Sequence, residues 1–225
     1  MKTYRPQLMS ALLGLLSLVT LSTPAAETAD LTVSGVIRPP ACNVTLANDG
    51  VVDFGIIKSQ SLDDSQANKL PRHEFDMSVS CNAPIRIAIY AKDNRHNQTQ
   101  TDAQNALGGN VQRTSGVTTE KGAAVGAVAM TPLKGTGDGA TSSTLQTTND
   151  GKAWKTWPSG GQIVTWPGND DYFGWGKAGK SSPAAFTNMT ETIGVDLALA
   201  PRSKLPDHVS QHEFDASVTF KVVYL

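Results

Sequence analysis

The chain ends on Phe214-Asp215-Ala216-Ser217-Val218-Thr219-Phe220-Lys221-Val222-Val223-Tyr224, followed by a final leucine. Apolar side chains recur at every second position, and mostly polar side chains stand between them. A period of two is that of a β-strand with one buried face. An extended stretch of this length spans about 35 Å. We therefore predict one long C-terminal strand with a single apolar face.

Shorter alternating stretches recur through the rest of the chain, and helical periodicity is nearly absent beyond the N-terminus. These patterns predict an all-β domain. Between 93 and 122 the chain is polar and poor in large apolar residues, so a long loop or insertion is expected there. Asp150-Gly151 predicts a tight turn, since this pair accepts positive φ. The predicted strands are Leu31–Ile37, Val51–Ile57, Phe75–Cys81, Ile85–Tyr90, Ala123–Met130 and Thr190–Leu199.

The N-terminus has the pattern of a secretory signal peptide. Lys2 and Arg5 precede an apolar run from Leu8 to Leu21, and small residues follow it. The run is short for a membrane span, so residues 1–26 are predicted to be removed and the alternative is a membrane anchor. Residues 27–225 are then expected to form one domain that does not span the membrane. The net charge of −1 gives no electrostatic case for nucleic-acid binding.

Two cysteines remain after the signal peptide, Cys42 and Cys81. Export carries both to an oxidising compartment, where a disulfide is the expected state. A bridge closing a loop of about 40 residues stabilises a fold by about 4 kcal/mol in the chain-entropy model. The alternative is two free buried thiols. Two ligands at this spacing match no zinc pattern.

No arrangement typical of an enzyme stands out, and we expect no catalytic residues, no metal and no cofactor. His73-Glu74 and His212-Glu213 begin like the helical zinc-protease motif, but the second histidine is missing from both. The chain also lacks a nucleophile elbow and a phosphate-binding loop.

The tryptophans cluster in the third quarter of the chain. Flat apolar rings with a polar tip suit ligand contacts and interfaces. A sugar-binding surface is one interpretation, and the alternatives are rings that fill the core or a contact with a partner protein. The candidate ligand aromatics are Trp154, Trp157, Trp166, Tyr172 and Trp175.

Taken together, these features resemble subunits of the chaperone–usher pili (fimbriae) of Gram-negative bacteria. The resemblance rests on a strand leading into Cys42, on Cys81 at the end of an alternating strand, and on a closing strand with a penultimate tyrosine, Tyr224. The spacing over Leu31–Tyr90 is closer still to an uncharacterised fimbrial-like exported family. The resemblance implies an immunoglobulin-like (pilin-type) antiparallel β-sandwich with one disulfide and a long inserted loop region.

The resemblance also implies how such a subunit works. A pilin-type sandwich lacks its last strand, which a periplasmic chaperone lends and a neighbouring subunit then replaces. The expected partners are the chaperone, the usher and other pilus subunits, first in the periplasm and then on the fimbrial cell surface. The implied strand-pairing residues are Phe214, Ala216, Val218, Phe220, Val222, Tyr224 and Leu225.

The candidate donor segment holds Leu31, Val33, Gly35 and Ile37. The sequence leaves open whether the domain keeps this segment as its first strand or donates it to a neighbour. The alternative function is a self-complete carbohydrate-binding module, periplasmic or at a fimbrial tip, with a host or surface glycan as ligand.

Overall fold

The computed structural model describes residues 31–36, 40–206 and 211–225. The predicted signal peptide lies outside the described residues. Pro39–Leu225 form one compact unit. In the described part of the chain, no helix is both long enough and apolar enough to cross a membrane.

Almost all regular structure in the described residues is strand, which confirms the all-β prediction. One short helix, α1 (Thr101–Ala106), and three single 3-10 turns accompany the strands. The strands are β1 (Cys42–Leu46), β2 (Asn68–Lys69), β3 (His73–Ile85), β4 (Ile87–Asp93), β5 (Thr114–Thr119), β6 (Ala124–Gly137), β7 (Ala140–Thr147), β8 (Lys155–Thr156), β9 (Tyr172–Lys177), β10 (Phe186–Leu199), β11 (Phe214–Ala216) and β12 (Val218–Tyr224).

The strands form one antiparallel sheet in the order β1-β3-β10-β6-β7-β9-β4-β12. Four strands lie off this path: β2 pairs with β10, β8 with β7, and β5 with both β6 and β11. The sheet curls until it is nearly closed into a barrel or sandwich. The strands at the two ends of this order are β1 and β12, which are also the first and the last of the described strands along the chain.

The core lies inside this curled sheet, and alternation explains which side chains enter it. Along β3, Phe75, Met77 and Val79 point inward, with polar residues between them. Ile193 on β10 pairs opposite Phe75 and is fully buried. Central strands have neighbours on both edges, so their inward side chains are covered on every side.

Two predicted strands are wrong. Leu31–Val36 belong to no strand, and Ile37 lies outside the described residues. Residues 51–57 are also not a strand; Gly55 has φ +68, which interrupts an extended run. The strand at the first cysteine begins at Cys42 and runs away from it, rather than leading into it.

The expected loop from 93 to 122 contains α1 and β5. β5 was not predicted because its composition is largely polar, although all six of its residues are buried. The buried polar groups of β5 are tolerated because they have hydrogen-bond partners. Ser115 Oγ donates to Thr165 Oγ1 at 3.2 Å, and Gly116 N donates to Asp93 Oδ2 at 3.0 Å. Within the described residues, the longest irregular stretch lies instead at 148–171, broken only by β8.

The C-terminal alternation forms two strands rather than one. Phe214–Ala216 pair with β5, whereas Val218–Tyr224 pair with β4. The chain changes partner at Ser217, whose carbonyl accepts from Asn94 N at 2.9 Å. Alternation cannot reveal such a change, because the side-chain period stays two across it.

Most of the other predicted elements are confirmed. β3, β4, β6 and β10 each overlap a predicted strand. Asp150 and Gly151 have φ of 58° and 77°, as the predicted turn requires.

Candidate functional site

The disulfide joins β1 to its neighbour. Cys42 and Cys81 lie directly opposite each other in the β1–β3 ladder, with Cα atoms 4.0 Å apart, and their bridge is formed. The same register places Val44 opposite Val79 and Leu46 opposite Met77. Residues opposite each other share a face, so the β1 row of Cys42, Val44 and Leu46 faces the core.

The β12 row faces the same core from the other end of the sheet. Phe220 pairs opposite Ala91 and Val222 opposite Ile89 in the β4–β12 ladder. Ile89 is fully buried, so Val222 and its alternate neighbours point inward as well. The ring of Phe220 lies 6.3 Å from that of Phe75 on β3.

We call the space bounded by these two rows the edge groove; its residues are Cys42, Val44, Leu46, Val218, Phe220 and Val222. All six pack against the core yet are only partly buried. Among the described strands, β1 pairs only with β3 and β12 only with β4. Each of these two strands therefore has one edge along which its backbone pairs with no other described strand.

At one end the two edges are joined through a side chain. Cys42 N donates to the Tyr224 hydroxyl at 3.0 Å. A side-chain link replaces the ladder bonds that adjacent strands would share. Inside the compact unit, Val52, Phe54 and Ile57 also pack partly buried against the core. These residues follow β1, so the predicted apolar stretch at 51–57 supplies core contacts without pairing.

The predicted strand-pairing residues are divided between two places. Val218, Phe220 and Val222 lie in the edge groove, and Tyr224 closes its end. Phe214 and Ala216 lie on β11 against β5, so the structure does not bring them to the β4–β12 ladder. Leu225 is 40% exposed, and its N–H donates to Arg86 O at 3.2 Å.

The candidate donor segment is largely exposed. Leu31 is 90% exposed and Val33 is 86% exposed. A β-carbon placed on Gly35 would meet no atom within 4 Å. The domain therefore begins its ladder at β1 without using Leu31–Val36 as a strand.

The predicted aromatic cluster is dispersed, and Trp175 is a correction. Trp175 is 1% exposed and belongs to the core, so it is not available to a ligand. Trp166 packs edge-on against His96, with ring centroids 5.8 Å apart. The Tyr172 hydroxyl donates to Asp150 Oδ1 at 2.7 Å, and this bond raises its pKa to about 12. Trp154 Nε1 donates to Gly151 O at 2.9 Å.

Trp157 lies beside a cleft that the sequence pattern did not predict. β6 and β7 pair only near their hairpin, from Gly135–Gly137 to Ala140–Ser142, and then separate. The opening between them is about 550 Å³. A bulge in the β10–β6 pairing at Thr192 and Ile193 lies next to it, and β6 carries a proline, Pro132, in this stretch. A proline inside a predicted strand is the sequence signal for such a break.

A buried carboxyl lies beneath this cleft. Glu191 on β10 is 0% exposed and accepts a hydrogen bond from Thr144 Oγ1 at 2.9 Å. Burial raises the pKa of Glu191 to about 7. The indole N–H of Trp175 makes no hydrogen bond of good geometry, although it lies near enough to the carboxyl to lower that pKa slightly. The sequence indicates that Glu191 is buried. Glu191 and Ile193 are two positions apart on β10, so their side chains point to the same face of the sheet.

The three described histidines lie apart from one another. His73 stacks on Phe54, His96 contacts Trp166, and His212 Nδ1 is 3.5 Å from Glu120 Oε1. His208 lies outside the described residues. No group of three or more His, Cys, Asp or Glu in residues 31–36, 40–206 and 211–225 is arranged to hold a metal ion.

The fold defines an antiparallel, disulfide-linked all-β protein in which two strands, β1 and β12, each pair with one other described strand. Residues 31–149, more than half of the chain, match a family described as a protein of unknown function (DUF1120). The chain belongs to this family. The match runs from the exposed N-terminal segment through β7, so it includes the disulfide and β1 but not β12.

Two curated proteins of Escherichia coli strain K12 are similar to the chain. Protein GltF is 33% identical over 92 residues, which cover 38% of this chain and 36% of that protein. The uncharacterized protein YhcF is 28% identical over 81 residues, covering 36% of this chain and 34% of YhcF. The chain thus matches about a third of the length of each relative.

Proposed function

We propose that this protein is an exported structural or adhesive subunit of a chaperone–usher type fimbria, completed by a strand from another chain. The observation that carries the proposal is the edge groove. Two apolar rows face one core and stay partly buried, on strands that each have one neighbour among the strands that the structure describes. An exposed strand edge is an aggregation hazard unless something covers it.

An added strand would satisfy both deficits at once. Its backbone would pair with the free edge of β1 or β12, and its alternate side chains would cover the partly buried rows. Leu31 and Val33 have the required alternation and high exposure. We therefore propose the segment from Leu31 to Ile37 as the strand that one subunit gives to the next.

The proposed partners follow from this arrangement. A periplasmic chaperone would occupy the edge groove first, and the donor segment of a neighbouring subunit would replace it at the usher. The protein would then pass from the periplasm to the fimbrial cell surface. A domain that begins its own ladder at Cys42 can donate Leu31–Ile37 without losing a strand of its own.

The test uses cells that make the full-length protein with its pilus system. Sheared and periplasmic fractions are run unboiled on a denaturing gel and blotted. We expect a ladder of multimers in the sheared fraction that collapses to monomer on boiling. Val33→Asp should abolish the ladder, because a charge on the inward parity would enter an apolar groove.

The matched control is Thr32→Asp, which places the same charge on the opposite parity of the same exposed segment. It should leave the ladder intact. A monomer band confined to the periplasm in the wild type would refute strand exchange. Equal loss in the two variants would show that the segment does not act as a strand.

A further inference from the structure

The opening between β6 and β7, which we call the β6–β7 cleft, differs in character from the edge groove. It lies where β6 exchanges one neighbour for another: β5 pairs with its first half and β7 with its last residues. The intervening residues 131–134 border the opening. At about 550 Å³, it falls within the range of small-molecule sites, about 300–1,000 Å³.

Hydroxyl groups dominate the polar lining. They can both donate and accept hydrogen bonds, so they match ligands whose own groups do the same. The hydroxyl side chains of the lining are Thr131, Thr141, Ser142, Thr144, Thr156 and Ser159.

One wall is apolar and flat. Trp157 is half-buried, and its Nε1 donates to Gly161 O at 2.8 Å, which holds the ring in place. Pro158 and Pro132 also line the cleft. An indole fixed by its own hydrogen bond offers an ordered apolar ring for stacking.

The floor holds an unsatisfied hydroxyl. Ser142 is 9% exposed, and its Oγ has no hydrogen-bond partner among the described residues. A β-carbon on Gly135 would lie 2.8 Å from Ser142 Oγ and 2.7 Å from Glu191 Oε2, so glycine keeps this floor open. Ser142 Oγ is itself covered by protein atoms, so it makes the floor polar without being a contact for an occupant.

The charge at the mouth is largely compensated. Arg72 lines the cleft, but its guanidinium is bound to Asp196, with Nη2 2.5 Å from Oδ2. Lys134 is the other cation of the lining. Recognition by hydroxyls and an aromatic wall therefore outweighs recognition by charge.

We propose that the β6–β7 cleft binds a small neutral saccharide. Sugar hydroxyls would pair with the threonine and serine hydroxyls, and an apolar sugar face would stack on Trp157 and Pro158. The site lies apart from the strands that border the edge groove, so this proposal stands independently of strand exchange.

The test is saturation-transfer NMR on the purified full-length protein with chitobiose, lactose and maltose as probes. We expect transfer from the protein to at least one of them. Thr141→Trp should abolish it, because Thr141 is exposed at the cleft and an indole there would fill the opening. Ser159→Trp, in the loop that also lines the cleft, should do the same.

The matched control is Lys121→Trp, which adds the same ring at an exposed residue between β5 and β6 that does not line the cleft. It should keep wild-type transfer. Transfer to none of the three sugars, or transfer that survives in both cleft variants, would overturn the proposal. Preference for digalacturonate over the neutral probes would overturn its neutral character. Thr141→Trp should still form the multimer ladder, which separates failure here from failure of strand exchange.

Discussion

The centre and the ends of the sheet carry the same alternating sequence pattern, but their inward side chains are buried to different extents. β3 and β10 alternate apolar and polar residues, and their inward side chains, such as Met77 and Ile193, are fully buried. β1 and β12 alternate in the same way, yet Val44 and Val222 remain partly exposed. The difference comes from the number of neighbouring strands: within the described part of the chain, a central strand has at least two and an end strand has one. Burial is therefore a property of position in the sheet.

The largest expected effect comes from the covalent tie between an end strand and the centre. Replacing Cys42 and Cys81 together by alanine should lower the free energy of unfolding by about 4 kcal/mol, because the unfolded chain loses a closed loop. Denaturant unfolding measures this. Reducing the wild type should reproduce the loss, and a double variant as stable as oxidised wild type would contradict it.

The second prediction concerns the polar side chain in the central row. Glu191 has a pKa of about 7 when folded, against 4.5 for an ordinary glutamate. Between these values the folded chain binds the proton more tightly, so stability should fall as pH rises from about 4.5 to about 7, by an amount on the order of 3 kcal/mol.

Glu191→Gln should remove this pH dependence, because the amide does not ionise. The measurement is the free energy of unfolding of both proteins at pH 5 and pH 8. The variant should be the more stable protein at pH 8 and close to wild type at pH 5. Parallel pH profiles would show that another group is responsible.

The third prediction compares one substitution at the two positions. Val79→Ala on β3 should cost about 2 kcal/mol, since it removes two buried methyl groups and leaves a cavity. Val222→Ala on β12 should cost less than about 1 kcal/mol, because that side chain is only partly covered. Adding a synthetic peptide of residues 31–37 should raise the cost at Val222 and leave that at Val79 unchanged. Equal costs without peptide would contradict the comparison.

The smallest effect concerns the link between the two ends. Tyr224→Phe removes the acceptor for Cys42 N and should cost under about 1 kcal/mol, as expected for a hydrogen bond at a half-exposed residue. Thermal unfolding checks this, with Lys221→Ala on the outer face of β12 as control. A loss comparable to that of Val79→Ala would mean that this bond holds the ends together.

Local pattern predicted a large part of this molecule, and its failures have specific causes. β3 and β10 were predictable because strict alternation over many residues has few other structural solutions. β5 was missed because five of its six buried residues are threonines, a serine and a glycine, which become core only through hydrogen bonds to distant partners such as Thr165 and Asp93.

The candidate sites divide in the same way. Alternation alone predicted that Val218, Phe220 and Val222 share one face of a strand, and their pairing with another chain stays a prediction. The β6–β7 cleft was not, because it depends on two strands separating and on a loop that is distant from β6 in sequence. The tryptophans were predicted to form one cluster and do not, for a related reason: closeness along the chain does not place rings on one surface.

The amino-acid sequence alone established the class of structure, the cysteine pair and the alternating rows, because each depends on residue type and on a period of two. Only the tertiary structure decided that β1 and β12 end the sheet, that Leu31–Val36 stay out of it, and that Glu191 lies buried beneath a cleft. These facts depend on which strands become neighbours, and contacts between residues far apart in the chain determine that choice.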